Sequence, residues 1–337
     1  MNVILIANDS ARVEFPCAPG QDVVTAAQAA GFYPPAMCRE GSCGLCAAHI
    51  VEGAYQMGPH NAKALPAGPD GVLLCRCLPD GDVTVAVPYA GEQIRRHQVP
   101  ERAALIAGIE RVAADIVALS LDLLPDPELG QGADFIPGQY MELCVPATGV
   151  RRAYSLANLP NWEGRLDFLI RLVPGGAFTG WLAKDAKPGD ELQVRGALGA
   201  FMLDEASPRR RVLVGGGCGL APILAMLRHM AEFQDTIPVH LIYAVGQEDE
   251  LLAEEVFGGL CQALPQLGIT RAVWRARPGW PGFAGNAAQA LAAHLDESDA
   301  EMDIYVCGPP PMLEAVEAVA MERGVPAERV FTERLPH

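Results

Sequence analysis

Three cysteines stand close together in Cys38-Arg39-Glu40-Gly41-Ser42-Cys43-Gly44-Leu45-Cys46, spaced Cys-x4-Cys-x2-Cys. Thiolates at that spacing, completed by a fourth further along, are the ligand pattern of a [2Fe–2S] cluster. Cys75 and Cys77 compete for the fourth place in Leu73-Leu74-Cys75-Arg76-Cys77-Leu78-Pro79. The loop has to wrap the cluster and aim backbone N–H groups at its sulfurs. Gly41 and Gly44 suit that task, because glycine reaches backbone conformations that other residues avoid. A structural zinc knot takes two pairs of closely spaced ligands, whereas here three cysteines cluster and the fourth is distant. Ten cysteines without a secretion signal fit a reducing compartment better than a disulfide framework. Such a cluster passes one electron at a time, so the chain is expected to carry electrons.

A second constellation follows the turn Pro137-Gly138-Gln139-Tyr140. Arg152-Ala153-Tyr154-Ser155 is expected at the start of a strand. An arginine clamps phosphate bidentately, a tyrosine ring lies on an aromatic ring system, and a serine hydroxyl can bond that ring's edge. Alone the tetrapeptide reads equally as an ordinary barrel strand. It gains weight from Pro174-Gly175-Gly176-Ala177-Phe178-Thr179, which offers glycine N–H groups and a hydroxyl at an expected helix N-terminus, a natural anion site.

A third begins where Val212-Leu213-Val214 runs into Gly215-Gly216-Gly217-Cys218-Gly219-Leu220-Ala221-Pro222. The glycines let the backbone approach a pyrophosphate, and Pro222 is placed to open a helix. The stretch is not the Gly-x-Gly-x-x-Gly fingerprint of ordinary dehydrogenases, because Leu220 takes the third glycine's place. The next strand leads into Tyr243-Ala244-Val245-Gly246-Gln247-Glu248-Asp249-Glu250, where the adenosine ribose should lie. Carboxylates such as Glu248 disfavour a 2′-phosphate, so the coenzyme is expected to be NADH. Cys307-Gly308-Pro309-Pro310-Pro311-Met312 follows the last strand-like run and, by itself, is a proline-rich helix start.

These segments need scaffolds. At 337 residues two or three domains are expected: residues 1–97, 98–205 and 206–337. In the first, residues 3–7 and 12–15 look like strands, 22–30 like a helix stopped by Gly31, and 83–87 like a closing strand. Residues 93–101 are polar and basic and serve as a linker. Residues 105–204 carry regular turn signals of a small antiparallel barrel. From Arg211 onward, strand-like runs at 212–214, 239–244, 269–274 and 304–307, three of them followed by helical stretches, indicate a parallel doubly wound sheet. A formal net charge of −16 excludes nucleic acid and anionic membrane surfaces as partners, and no apolar run is long enough to span a bilayer. The chain is expected to be cytoplasmic and monomeric.

Each segment resembles a known family. Plant-type ferredoxins close their site with Cys-x3-Pro-x2-Asp before a final strand, and Cys75, Pro79 and Asp82 fit that frame. The resemblance therefore implies a β-grasp fold with Cys38, Cys43, Cys46 and Cys75 as ligands and Cys77 as a spare thiol. The other segments are similar to the ferredoxin–NAD(P)+ reductase superfamily. Its Arg-x-Tyr-Ser motif matches Arg152, Tyr154 and Ser155, and its glycine-rich pyrophosphate turn matches Gly175, Gly176 and Thr179. Ile170 and Arg171 occupy the strand between them that lines FAD. Its Gly-Gly-x-x-Gly-x-Ala-Pro turn matches Gly215, Gly216, Gly217, Gly219 and Pro222, with Cys218 where threonine is usual. In that superfamily Cys307, Gly308 and Pro309 would lie beside the nicotinamide, with Cys307 shaping the pocket.

The order of the three parts resembles reductase components of bacterial oxygenases, above all that of soluble methane monooxygenase and its phenol- and alkane-hydroxylase relatives. It implies a β-grasp ferredoxin domain, an antiparallel FAD barrel and a Rossmann-like NAD domain. NADH would feed FAD, and the cluster would feed a hydroxylase. Relatives keep an aromatic after the final Glu-Lys/Arg pair. Here Glu333-Arg334 leads to Leu335, leaving Phe331 as the nearest substitute. No acid–base pair is required, so His49, His60, His97, His229, His240 and His294 are expected at the surface or in packing. The competing readings are a reductase of an aromatic-ring dioxygenase or deoxysugar dehydratase, and a zinc-stabilised nucleotide-binding module without turnover.

Overall fold

In the computed structural model, which describes residues 1–36, 38–96, 99–296 and 301–333, the chain forms two compact units, Met1–Val99 and Pro100–Glu333. The first contains β1 (Asn2–Ile6), β2 (Arg12–Pro16), α1 (Val23–Ala29), β3 (Ala47–Glu52), β4 (Tyr55–Met57), β5 (Gly71–Leu73), β6 (Cys77–Pro79) and β7 (Val83–Ala86). Its main sheet runs β2-β1-β7-β3-β5. Strand β7 lies parallel to β1 and antiparallel to β3. Alternation in β1 and β7 sends Val3, Leu5, Val83 and Val85 inward onto Val23, Val24, Ala26 and Ala27 of α1. Asp22 starts that helix by accepting the Thr25 N–H at 3.0 Å, so the expected helix at 22–30 is a helix with its caps counted in.

The second unit opens with β8 (Glu101–Arg111), β9 (Ile116–Leu123), β10 (Tyr140–Val145), β11 (Val150–Ser155), β12 (Arg165–Arg171), α2 (Ala177–Lys184) and β13 (Glu191–Leu198). All neighbours in the sheet β11-β10-β13-β8-β9-β12 are antiparallel. A bridge between Leu156 and Phe168 returns the end of β11 to β12 and closes the barrel. The order β17-β16-β15-β14-β18-β19 then builds a parallel sheet. Its elements are β14 (Arg210–Gly216), α3 (Leu220–Glu232), β15 (Val239–Val245), α4 (Glu255–Ala263), β16 (Leu267–Val273), β17 (Phe283–Ala284), α5 (Ala287–Asp296), β18 (Met302–Cys307), α6 (Pro310–Glu322) and β19 (Val330–Glu333). The strand order reverses between β14 and β18, which makes their carboxyl ends the switch-point crevice where open α/β sheets bind ligands.

The barrel and the parallel sheet share a core. Ile116, Ala157, Leu169 and Phe201 pack into the same cluster as Leu213, Leu220, Ile223 and Tyr243. No helix among the described residues is long and apolar enough to cross a membrane. His97 and residues 334–337, and with them part of the 93–101 linker and the Arg334-Leu335 terminus, lie outside the described residues. Gly138, with φ +106°, brings its Cα against the carbonyl oxygen of Phe201, and an added Cβ would overlap that oxygen. Gly138→Ala is therefore expected to destabilise the second unit by about 1–3 kcal/mol, read as a lower midpoint in denaturant titration.

Candidate functional site

In the first unit the cysteine loop is held to α1 by Arg39. Its guanidinium donates to Thr25 Oγ1 at 2.5 Å and Gln28 Oε1 at 3.1 Å, and pairs with Asp22 at 3.5 Å. Gly41 and Gly44 both have positive φ, +74° and +77°, and a Cβ on Gly41 would meet Arg76 and His60 at 2.8 Å. The loop thus folds tightly enough to gather the thiols. That of Cys38 contacts those of Cys43 and Cys75, and that of Cys46 contacts that of Cys75. Backbone N–H groups aim at these sulfurs: Ser42 donates to Cys38 Sγ at 3.3 Å, with further contacts from Glu40 to Cys38, Leu45 to Cys43 and Gly41 to Cys75. Hydrogen bonds from the neighbouring thiols hold Cys38 below the usual thiol range.

Cys77 is placed differently. It is fully buried in β6, and burial pushes its thiol up to about 12, with Cys17 and Asp22 as neighbours. It is Cys75, and not Cys77, that touches Cys38 and Cys46. Among the described residues no three ligating side chains surround a single ion position. The thiols instead touch in the succession Cys43, Cys38, Cys75, Cys46, a donor set of paired sulfurs that fits two irons sharing four thiolates.

In the second unit Arg152, Tyr154 and Ser155 lie on β11, at its end and not at its start as expected, because pairing with β10 already begins at Val150. Tyr154 packs on Phe178 with ring centroids 5.2 Å apart, and burial raises its hydroxyl above the usual range. Ser155 is buried, and its hydroxyl has no partner among the described residues. Arg152 is exposed and donates to the carbonyl of Arg151 at 2.7 Å. An unfilled buried hydroxyl beside an accessible aromatic ring and a surface guanidinium fits a flavin with its phosphates. Gly175 has φ +75° and Gly176 caps α2. The Thr179 hydroxyl is already engaged with Val173, donating to its carbonyl at 3.1 Å.

Strand alternation divides the residues of β12. Ile170 points into the barrel core, whereas Leu169 joins the core shared with the parallel sheet. Arg171, on the same face as Leu169, forms an ion pair with Asp115 at 2.9 Å and reaches Glu250 at 3.6 Å. Its guanidinium covers Gly217, whose φ is +54°, in the 3₁₀ turn between β14 and α3. Pro222 sits inside the first turn of α3, which begins at Leu220.

The glycines of that turn are required by the close approach of Cys307-Gly308-Pro309 and Met312. A Cβ on Gly219 would strike the Cys307 carbonyl and lie 2.9 Å from the Gly308 Cα. One on Gly216 would meet Met312 at 2.5 Å and Pro309 at 3.2 Å. The turn and Cys307-Gly308-Pro309 therefore line one crevice, whose open backbone fits a dinucleotide pyrophosphate. Burial, then Glu333 and Cys218, pushes the Cys307 thiol up, and burial does the same to Cys218. Both stay protonated at neutral pH. Cys218 also makes a backbone hydrogen bond with Arg171.

Several neighbours escape a linear reading. Glu248 accepts the Arg277 N–H at 2.8 Å, and Glu250 accepts the Gly246 N–H at 3.1 Å. Arg275 donates its own N–H to Gly246 O at 3.0 Å and lies over Trp274. A basic pair thus borders the acidic loop. The signal was available in principle, since β16 ends at the same edge as β15 in a parallel sheet. Glu333 stands opposite Cys307 in the β18–β19 ladder, only 2 % exposed. Phe331 stacks on Tyr305 with centroids 4.7 Å apart. Of the histidines, His49 pairs with Asp70, His60 donates its Nδ1–H to Gly58 O, His229 pairs with Glu205, and His240 stacks on His294.

Comparison with known proteins agrees with this division. Residues 6–80 match the 2Fe-2S iron-sulfur cluster binding domain, 103–203 the oxidoreductase FAD-binding domain and 213–318 the oxidoreductase NAD-binding domain. The chain is similar to the toluate 1,2-dioxygenase electron transfer component of Pseudomonas putida, at 34% identity over 94% of this chain and 92% of the other. It is also 34% identical to methane monooxygenase component C of Methylosinus trichosporium, over 77% of each. Among solved structures it resembles an Amycolatopsis cytochrome P450 reductase, with a TM-score of 0.77, 28% identity and 98% of each chain covered.

Two outcomes follow from this geometry. Gly217→Ala pushes the Arg171 guanidinium off the turn, and is expected to weaken NAD+ binding at least tenfold, about 1.4 kcal/mol, in calorimetric titration with flavin content unchanged. Burial raises the Glu333 carboxyl from 4.5 to about 8. Between those values the folded chain holds a proton that the unfolded chain has released. Stability from this group is thus present at low pH and falls as pH rises through that window, by up to about 1.4 kcal/mol per unit. Thermal melts of Glu333→Gln are expected to lose this slope.

Proposed function

This chain belongs to the family of reductases that join a [2Fe–2S] domain to FAD- and NAD-binding domains, and from that premise we propose that it passes electrons from NADH to the hydroxylase of a soluble diiron monooxygenase of the methane, alkane or phenol type. The observation that carries the electron path is the gathering of four thiols in one unit, with a flavin-type pocket and a dinucleotide crevice in the other. When bound, FAD accepts the electron pair of a hydride and the cluster relays it singly, chemistry that belongs to the cofactors.

The residues have these roles in the proposal. Cys38, Cys43, Cys46 and Cys75 ligate the cluster in residues 1–97. Arg152, Tyr154, Ser155, Gly175 and Gly176 hold FAD in residues 98–205, with Ile170 and Thr179 shaping the strand and turn behind it. Gly215, Gly216, Gly217, Gly219 and Pro222 seat the coenzyme in residues 206–337, and Arg171 supplies a positive charge over Gly217 for its pyrophosphate. Cys218, Cys307, Gly308 and Pro309 wall the nicotinamide pocket. Both thiols remain neutral, so the pocket walls offer no nucleophile. Glu248 selects against a 2′-phosphate. Arg275 partly offsets that charge, so the preference for NADH is expected to be definite but finite. The chain is read as a cytoplasmic monomer.

A second reading has its own support. The toluate dioxygenase component matches nearly the whole chain at the same identity as the methane monooxygenase component, which favours an aromatic-ring dioxygenase as acceptor. Reconstitution with purified hydroxylase of each type distinguishes the two. Anaerobic addition of NADH is expected to bleach overlapping flavin and [2Fe–2S] absorption bands, and NADPH to do so at least tenfold less efficiently in kcat/KM. A colourless protein that stays inert after cofactor reconstitution would sink the reductase reading. Equal use of NADPH would sink the role of Glu248.

A further inference from the structure

Trp274 has no part in the function described so far. It is the first residue past β16 and is 65 % exposed. Of the large apolar side chains exposed among the described residues, it alone stands at the carboxyl edge of the parallel sheet. Its backbone is fixed there. The Trp274 N–H donates to Val245 O at 3.1 Å and the Arg275 N–H to Gly246 O at 3.0 Å, so the β15–β16 pairing runs on past the ends of both strands. The Arg275 guanidinium lies 5.9 Å from the centre of the Trp274 ring, a cation held over a π-face. In the turn after β15, Glu248 accepts the Arg277 N–H at 2.8 Å. An exposed indole and a carboxylate therefore flank the ends of two neighbouring strands.

Single apolar residues at a protein surface are ordinary. Trp274 is set apart by what lies in line with it. The 3₁₀ turn at Gly217–Gly219 ends β14, and the sheet continues from β14 through β15 to β16, two strand spacings or about 10 Å away. Indole and purine are both flat ring systems, and such rings attract one another when they stack with an offset. We propose that Trp274 is the platform on which the adenine of the coenzyme stacks, with Arg275 over the indole holding that ring in place. A dinucleotide whose pyrophosphate sits on the glycine turn then lays its adenosine along the sheet edge, the ribose at Glu248 and the base at Trp274. This rests on the reading of the turn as the pyrophosphate seat, and adds to it the side chain that recognises the base.

Because Trp274 is exposed, Trp274→Ala removes the ring without opening a core. In calorimetric titration of the holoprotein, Trp274→Ala is expected to weaken binding of NAD+ and of ADP-ribose about tenfold, the size of effect that follows loss of one base–aromatic stack. Trp274→Phe, which keeps a ring, is expected to recover most of that loss. Reduced nicotinamide mononucleotide carries no adenosine, and its kcat/KM is expected to be the same in wild type and Trp274→Ala. Unchanged affinity of Trp274→Ala for NAD+, or an equal loss with the mononucleotide, would overturn the platform while leaving the nucleotide crevice in place. Wild-type holoprotein that binds neither NAD+ nor ADP-ribose would remove the crevice reading and the platform together.

Discussion

Strand β12 sends alternate side chains into two different cores, and the arrangement of the second unit depends on that division. Ile170 fills the barrel, while Leu169 joins a cluster built mainly from the parallel sheet and α3. Because a strand's side chains alternate strictly, Arg171 must follow Leu169 toward the nucleotide turn. The same two-residue period that closes the barrel therefore delivers a guanidinium to Gly217 and Glu250. A slip of one residue would turn Arg171 into the barrel and Ile170 out of it. Apolar packing fixes the register, and the register fixes the charge.

Burial governs the ionisable groups around the crevice. Cys307 and Glu333 sit where water is excluded, Cys218 is half-buried, and each is pushed toward its neutral form. Charge is supplied instead from the rim, where Arg171 is held between Asp115 and Glu250. The Arg171–Asp115 pair is close but poorly aligned, since the Arg171 Nε makes no hydrogen bond among the described residues. A guanidinium held by partial satisfaction can exchange carboxylates for phosphate oxygens, which offer matching bidentate geometry. The interior excludes charge and the rim provides it, as suits hydride transfer to a neutral ring system beside a charged pyrophosphate.

The cysteine loop solves a related problem by different means. Its ligands must converge within a few residues, so the backbone takes left-handed turns at Gly41 and Gly44, and even Arg39 adopts φ +59°. That strained turn is held by hydrogen bonds from Arg39 to Thr25 and Gln28, whose helix is in turn started by Asp22. The helix cap and the metal loop are thus one polar network. Cys77 marks its limit: two residues beyond Cys75, on the next strand, the thiol faces Cys17 and Asp22 instead of the gathered sulfurs.

Much of this was legible in the sequence because the chemistry is local. The spacing of Cys38, Cys43 and Cys46, the glycine run from Gly215 to Gly219, and the strand-like runs at 3–7, 83–87 and 212–214 depend on residues a few positions apart, and short-range geometry fixes what they can do. The acidic loop at Glu248 was legible for the same reason. What the linear chain withheld lies between elements. Arg275 and Arg277 reach that loop because parallel strands end at a common edge, however many residues separate them. Glu333 meets Cys307 because β19 adds beside β18. Local spacing determined which cofactors the chain can address. Tertiary pairing alone decided which buried groups are left beside them, because strand register joins residues that no sequence interval relates.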